Sequence, residues 1–556
     1  MTVSESNSQS QAGSTSESTA EAKSGEPQTG KAQHQAGKVR SRSSALAVAS
    51  GIFLSRIVGL VRDRVFAYYF GNSDAADAFR AAFRIPNFLQ NLFGEGVLSA
   101  SFIPVYARLR AEERHEEASQ LAESIFAILL LLTSVLVLVG VLTAPWLVDA
   151  IAPGFHGAKR ALVVRLVQLL FPGAALLVLS AWCLGVLNSH KRFLLSYAAP
   201  VIWNFAMIAT FFVDRGRHGE AHLAVAIAIG SVIGSALQFA IQIPTVIGLL
   251  RPLAFRIRGE GEHTRTVMKN FGPVFVSRGV VQVSAYLDSL LASFLPTGAV
   301  AALSYAQTLN SLPVSLFGMA VSAAELPTMA GALGSSDEVA ATLQKRLAHG
   351  FANISYFVVP SAAAFIALGD VIVALIYRSG HFTGRDVNFV WSVLAGSGAG
   401  LLASTAGRLY SSAFYALRDT RTPLNYALVR VSLTVLLGYL FALPLPRLLH
   451  IAQWWGVAGL TFSAGIAGWV EFALLRRGLS KRIGPIPSQG ARLARLWVGA
   501  VLAAAVAYFV KTKLPADRPW LTGLVVLPVF GLGYAGIVRL LGVSAPINLK
   551  KVLRIS

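Results

Sequence analysis

Apolar stretches about as long as a bilayer is thick recur along this 556-residue chain from Ala45 onward, separated by short polar or Pro/Gly-bearing loops. Fourteen can be delimited: 44–68, 76–106, 122–150, 163–188, 193–213, 222–249, 271–295, 298–330, 346–377, 388–416, 424–445, 454–475, 493–511 and 520–542. No stretch sustains the period-two alternation of a barrel strand, so the periodicity predicts helix throughout. Charged residues make up 13% of the chain and hydrophobic ones 54%, too few of the first to cover a water-facing surface of this size. The predicted class is an all-α polytopic membrane protein of about 14 transmembrane helices.

Residues 1–43 stand apart. They are rich in Ser, Gln, Gly, Ala and Glu and almost free of large apolar side chains, which predicts a disordered cytoplasmic tail. The tail lacks the apolar stretch and small-residue cleavage site of a signal peptide. Basic loops fix the expected orientation. Arg251, Arg256, Arg258, Arg265 and Lys269 precede span seven, and Arg476, Arg477, Lys481, Arg482, Arg492 and Arg495 follow span twelve. Both termini are expected in the cytoplasm. The long connection after span six divides the chain into an N-terminal six-helix lobe (44–250), a C-terminal six-helix lobe (271–477) and two additional transmembrane helices (490–545). Two such lobes flanking a central cavity is a transporter arrangement, although no sequence repeat between them is evident. The net charge of +21 is assigned to loops facing anionic lipid and not to nucleic acid.

Arginines inside the spans are the sharpest functional signal. Arg56, Arg62, Arg64, Arg80, Arg84, Arg278, Arg408 and Arg430 lie within apolar segments, where each costs ~3 kcal/mol by insertion scales. None of the eight is a lysine, and a guanidinium fork suits phosphate or carboxylate. At 100° per residue, Asp77, Arg80, Arg84, Asn87, Asn91 and Glu95 form one narrow stripe on span two that climbs about 27 Å. Pro86 predicts a kink partway along it. Such a stripe needs water or a facing polar partner. The plainer reading pairs these groups internally, Arg56 with Asp63 and Arg80 or Arg84 with Asp77. On span seven, Asp288 is a default proton or cation site, with Arg278 as a competing ion-pair partner.

Enzyme signatures are absent from the sequence. The ten histidines show no HExxH spacing, and neither GxxxxGK[ST] nor GxSxG occurs. Cys183 is the single cysteine, which excludes an intrachain disulfide and a cysteine-based zinc site. The expectation is no enzyme, no resident metal and no cofactor, with transport driven by an Na+ or H+ gradient or by membrane potential.

The segments SRIVGLVRDRVFAYYFG (55–71) and DAADAFRAAFRIPNFLQNLFGEGVLSASFIPVY (74–106) resemble the MurJ/MviN family of lipid II flippases, in the multidrug/oligosaccharidyl-lipid/polysaccharide exporter superfamily. APGF (152–155), FPGAALLVLSAWCLGVLNSHKRF (171–193), GPVF (272–275) and FYALRDTRTP (414–423) continue the likeness across the chain after the tail. The resemblance implies movement of the undecaprenyl-pyrophosphate-linked peptidoglycan precursor from the inner to the outer leaflet of the bacterial inner membrane, by lobes that alternate between inward- and outward-open states. The pyrophosphate would enter a cationic cavity while the polyprenyl tail stays in lipid, and the chain is expected to act as a monomer.

By matching residue, the likeness assigns substrate binding to Arg56, Arg62 and Asp77, and cation or proton coupling to Asp288. The chain also departs from the family pattern. Gln90 and Asn91 replace an arginine pair, and Thr308 and Ser311 stand where many members carry an arginine and an acid. Arg80, Arg84 and Arg278 are the expected substitutes. The alternatives are an exporter of another polyprenyl-linked glycan or small molecule, and a non-transporting regulatory paralogue.

Overall fold

Apolar periodicity becomes helix nearly everywhere. A computed structural model of the chain describes residues 54–250, 262–331, 335–515 and 517–544, and no strand occurs among them. The 1–43 tail and the basic run through Arg256 and Arg258 lie outside the described residues.

The first lobe begins with α1 (54–70). Next comes α2 (Asp74–Leu89), which passes through a π-helical turn (Gln90–Leu98) into α3 (Ser99–Ala111). Then follow α4 (His115–Leu142), the short α5 (Ala144–Ile151), α6 (Gly157–Ser189), α7 (Phe193–Asp214) and α8 (Glu220–Leu249). The second lobe opens with α9 (Glu262–Ala292). In it, α10 (Ala299–Pro313) again runs through a π-helical turn (Val314–Met319) into α11 (Ala320–Ala330). The lobe continues with α12 (Ser336–Ala367), the short α13 (Gly369–Tyr377), α14 (Gly384–Ala416), α15 (Arg421–Ala442), the short α16 (Pro444–Leu448) and α17 (Trp455–Ile483). Two further helices, α18 (Gly490–Thr512) and α19 (Pro519–Leu540), complete the chain.

Among the described residues, eleven helical runs are long and apolar enough to cross a membrane by themselves. The three long runs outside that set are α1, α2–α3 and α9, which carry most of the intramembrane charge discussed above.

The second lobe repeats the first in order, length and packing. Lengths pair as 28 and 32 residues for α4 and α12, 33 and 33 for α6 and α14, 22 and 22 for α7 and α15, and 30 and 29 for α8 and α17. In the first lobe α6 packs on α2, α4 and α8, and α7 lies on α8; in the second, α14 packs on α10, α12 and α17, and α15 lies on α17. The π-helical turns occupy equivalent helices, as do α5 and α13. The irregularity predicted at Pro86 falls four residues later, at Gln90. Its counterpart follows Pro313 directly.

Local chemistry sets several ends. Ser335 and Glu338 form a reciprocal capping box at the start of α12 (3.0 and 3.4 Å), and Thr383 does the same with Asp386 before α14. Helices α14 and α17 approach so closely at Gly400 and Gly465 that a methyl on Gly400 would collide with the Gly465 backbone and one on Gly465 would press tightly on the Gly400 backbone, the small-residue contact expected where lipid gives helices no hydrophobic reason to associate. Side chains such as Leu131, Leu138, Val213 and Leu532 point outward, each more than 60% exposed, as fits a lipid solvent. Helices α18 and α19 pair with each other and dock on α12 and α13.

Candidate functional site

A cavity of about 310 Å³ lies where the lobes meet. Ser55, Arg56, Arg62 and Asp63 of α1 line one side, with Asn87 of α2 and Gln90 of the π-helical turn beside them. Trp203 and Asn204 of α7 and Gln238 of α8 complete the first-lobe wall, and Thr308 and Ser311 of α10 come from the second lobe.

Asp63, Arg62 and Thr308 form its polar floor, with Arg80 behind them. Asp63 is buried and accepts from Arg62 Nη2 at 2.9 Å, from Arg80 Nη2 at 3.2 Å and from Thr308 Oγ1 at 3.2 Å. Two cations meet one carboxylate, so this cluster keeps a net positive charge in a low-dielectric setting. Arg62 also lies over the Trp203 ring, 5.1 Å from its centroid. Arg56 lines the cavity, is exposed, and enters no ion pair among the described residues. The expected Arg56–Asp63 pair is therefore not formed; Asp63 is taken by Arg62 and Arg80.

Other expected site residues face the second lobe without lining the cavity. Arg80 is buried, with its guanidinium on Asp63 and over the rings of Phe66 (4.3 Å) and Tyr305 (5.1 Å). Arg84 lies over Tyr286 of α9, whose hydroxyl donates to the Arg84 carbonyl at 2.9 Å. Asp288 interacts with Arg84 and with Arg430 of α15. Arg278 belongs to α9, but its side chain lies outside those described. From Asp77 to Arg84 the polar stripe of α2 thus follows the seam between lobes, and among its described side chains Asn87 is the one that lines the cavity, joined there by Gln90 from outside the stripe.

Asp77 closes one end of that seam. Its buried carboxylate accepts from Lys159 Nζ at 2.6 Å, from the Gly298 backbone N–H at 2.8 Å and from the Ala301 N–H at 2.8 Å. A carboxylate is favoured there because the donors belong to the first turn of α10. Gly298 reaches this pose at φ +88°, a region open to glycine. Around it, Tyr305 Oη donates to the Gly71 carbonyl (3.0 Å), Thr297 Oγ1 to Asp74 (2.9 Å), and the His381 N–H to the Tyr68 carbonyl (2.8 Å). Arg64 donates to the carbonyls of Leu375 and Ile376 at the C-terminal end of α13 (3.0 and 2.9 Å).

At the other end, contacts stand among the described residues as well. His263 of α9 meets Glu117 of α4 at 3.2 Å, and Phe93 packs on Phe271 and Phe275.

Sequence reasoning missed Lys159, which follows the APGF segment, and the α7–α8 wall. The available signal for that wall was Gln238 and Gln242, four apart in an apolar span; both donate to Ser180 Oγ (2.9 and 2.6 Å). Beside the cavity runs an apolar groove of about 760 Å³ between α10, α12, α13 and α19, lined by Leu312, Leu316, Phe317, Phe357 and Phe530. Leu312 lines both spaces.

Two repeated helical lobes, a cationic cavity at their seam and a bonded closure at one end define a membrane transporter of the alternating-access type. The solved structures agree on the fold. One titled "Lipid II flippase MurJ, inward closed conformation" aligns with a TM-score of 0.73 at 24% identity, over 89% of this chain and 98% of that one. An inward-facing multidrug resistance MATE family transporter of the MOP superfamily aligns at 0.61 and 17% identity, over 79% and 98%. The family profile described as "Lipid II flippase MurJ" matches residues 66–531. The Lipid II flippase MurJ of Burkholderia cenocepacia is 33% identical over 463 residues, 80% of this chain and 85% of that protein. The probable lipid II flippase MurJ of Haemophilus influenzae is 30% identical over 444 residues, 77% and 84%. The chain belongs to the lipid II flippase MurJ family.

Proposed function

We propose that the chain carries lipid II from the inner to the outer leaflet of the bacterial cytoplasmic membrane, with Arg56 and Arg62 gripping the pyrophosphate. The observation that carries this reading is the cavity at the lobe seam, which combines an exposed Arg56, in no ion pair among the described residues, with an Arg62 held ready by Asp63 and Trp203. A forked guanidinium replaces the hydration that a diphosphate loses on entering a low-dielectric space. The cavity volume of about 310 Å³ suits a diphosphate and is too small for the attached sugars, so the lobes must part to admit the whole headgroup. The groove that Leu312 shares with the cavity offers an apolar track for the polyprenyl chain. In this reading the Asp77 end faces outward, both termini are cytoplasmic, and the reaction is transport without covalent chemistry. Asp288, which lies in the electrostatic field of Arg84 and Arg430, is the candidate coupling site for Na+ or H+.

Arg62→Ala tests the proposal in vesicles loaded with lipid II. Asp63 would keep Arg80 and Thr308 as partners, so the variant should still fold and insert. Losing a charge-assisted contact of about 1.5–3 kcal/mol predicts an apparent affinity weaker by about ten- to 150-fold. Arg62→Lys, which keeps charge but not the fork, should recover only part of it. Full flipping by a normally inserted Arg62→Ala protein would overturn the assignment.

A further inference from the structure

The connection between α7 and α8 gathers three metal-ligating side chains that the transport reading does not use. Asp214 ends α7, His218 lies in the turn, and His222 occupies the first turn of α8. Their ligand atoms all lie within 4.8 Å of one another. We propose that Asp214, His218 and His222 form a binding site for a divalent transition metal of the Zn2+ class.

The turn itself prepares the site. Arg215 (φ +55°), Gly216 (φ +66°) and Gly219 (φ +91°) reverse the chain within five residues and bring the three side chains to one side. The Gly216 N–H donates to Asp214 Oδ1 at 3.1 Å and fixes the carboxylate. Its other oxygen, Oδ2, faces His222 Nε2 at 3.5 Å. That is long for a charge-assisted hydrogen bond, but it approximates the edge of a tetrahedron around zinc, about 3.4 Å for ligands bonded at 2.0–2.1 Å. The His218 and His222 rings lie 4.9 Å apart between centroids, and both are exposed, so small rotations about their side-chain bonds bring both nitrogens to one ion. Arg215 is directed away, its Nε donating to the Phe212 carbonyl at 3.1 Å. A hydrogen-bonded carboxylate with two imidazoles is a borderline-soft ligand set, and it leaves a fourth position for water. Hard cations such as Mg2+ prefer oxygen ligands and fit it poorly.

The sequence carries this arrangement as Asp-x3-His-x3-His, a spacing that becomes meaningful only once the turn folds the chain back.

The test uses the purified full-length chain in detergent, stripped of metal with chelator and then titrated with ZnCl2. We expect Zn2+ to bind the wild type at one site per chain that is lost in the His218→Ala/His222→Ala double variant. Asp214→Asn, which keeps an oxygen for the Gly216 N–H, should weaken that site by at least about tenfold. Metal-free melting curves of all three proteins should coincide, which separates ligand loss from misfolding. Absence of a Zn2+ site in the wild type, or equal stoichiometry and affinity in the double variant, would overturn the proposal. Because flipping is not the readout, failure here leaves the transport reading untouched.

Discussion

Replacing Asp77 by Asn is the most informative perturbation of the seam, because it changes charge at nearly constant volume. The carboxylate receives two backbone N–H groups and one ammonium at 2.6–2.8 Å. An asparagine carbonyl can keep the donors at one oxygen position, Gly298 and Lys159. Its amide then confronts the Ala301 N–H donor to donor. The pair with Lys159 lies within the first lobe and survives opening, so the cost specific to the closed state is the lost charge-assisted Ala301 bond, about 1.5–3 kcal/mol. Since the Gly298 and Ala301 bonds exist only while the lobes are together, that cost falls on the closed state. It predicts a loss of roughly one to two powers of ten in the ratio of closed to open forms at this end. The assay is crosslinking of Asp74→Cys with Thr297→Cys, positions whose native side chains touch at 2.9 Å, using a short thiol-reactive reagent on intact membranes. Crosslinking should be efficient with Asp77 present and fall sharply with Asp77→Asn, and lipid II flipping should fall with it. Unchanged crosslinking and flipping in a well-inserted Asp77→Asn protein would refute the latch.

The remaining predictions concern stability. Gly400→Val should destabilise the chain by about 1–3 kcal/mol through collision with the Gly465 backbone, measured by thermal melting in detergent. Gly407→Ala, whose methyl would meet Leu475 at an ordinary 3.8 Å, should be nearly neutral. His190, in the turn after α6, is pushed down to about 4 from 6.5 by burial, with Arg110, His115 and Arg192 adding repulsion. Between those values the unfolded chain binds a proton that the folded chain refuses, so stability should decline as pH falls from 6.5 towards 4 and be restored above 6.5. His190→Gln, which can still bond the Tyr106 hydroxyl now 2.9 Å from the ring, should flatten that slope in melting curves across the window; an unchanged slope would refute the assignment.

Hydropathy is a one-dimensional signal, which is why most of the helical architecture can be read from the chain. Apolar runs such as 122–150 and 163–188 announce α4 and α6 without help from any distant residue. The same reading places α1 and α2 in the spans 44–68 and 76–106, and the likeness carried by the 55–71 and 74–106 segments adds what their charged residues are for. Pairing is harder, because it depends on how helices cross. Arg80 shares a helix face with Asp77, yet the crossing of α1 and α2 delivers it to Asp63, seventeen residues away. Asp77 in turn bonds two backbone N–H groups and a lysine in the first turn of α6. Backbone donors leave no mark in a sequence, so its closing role was invisible there. The repeat between lobes was equally hidden, since it survives in helix lengths and packing partners and not in residue identities.

The π-helical turns at Gln90–Leu98 and Val314–Met319 bear on how such a molecule can flex. Each inserts slack into a helical ladder, and each sits near a proline that has already removed one rung. The segments beyond them, α3 and α11, can swing without severing a regular hydrogen-bond series. With one such joint per lobe at equivalent positions, motion need not be rigid-body rocking alone; the ends of two symmetry-related rods can bend while the bonded latch around Asp77 stays shut.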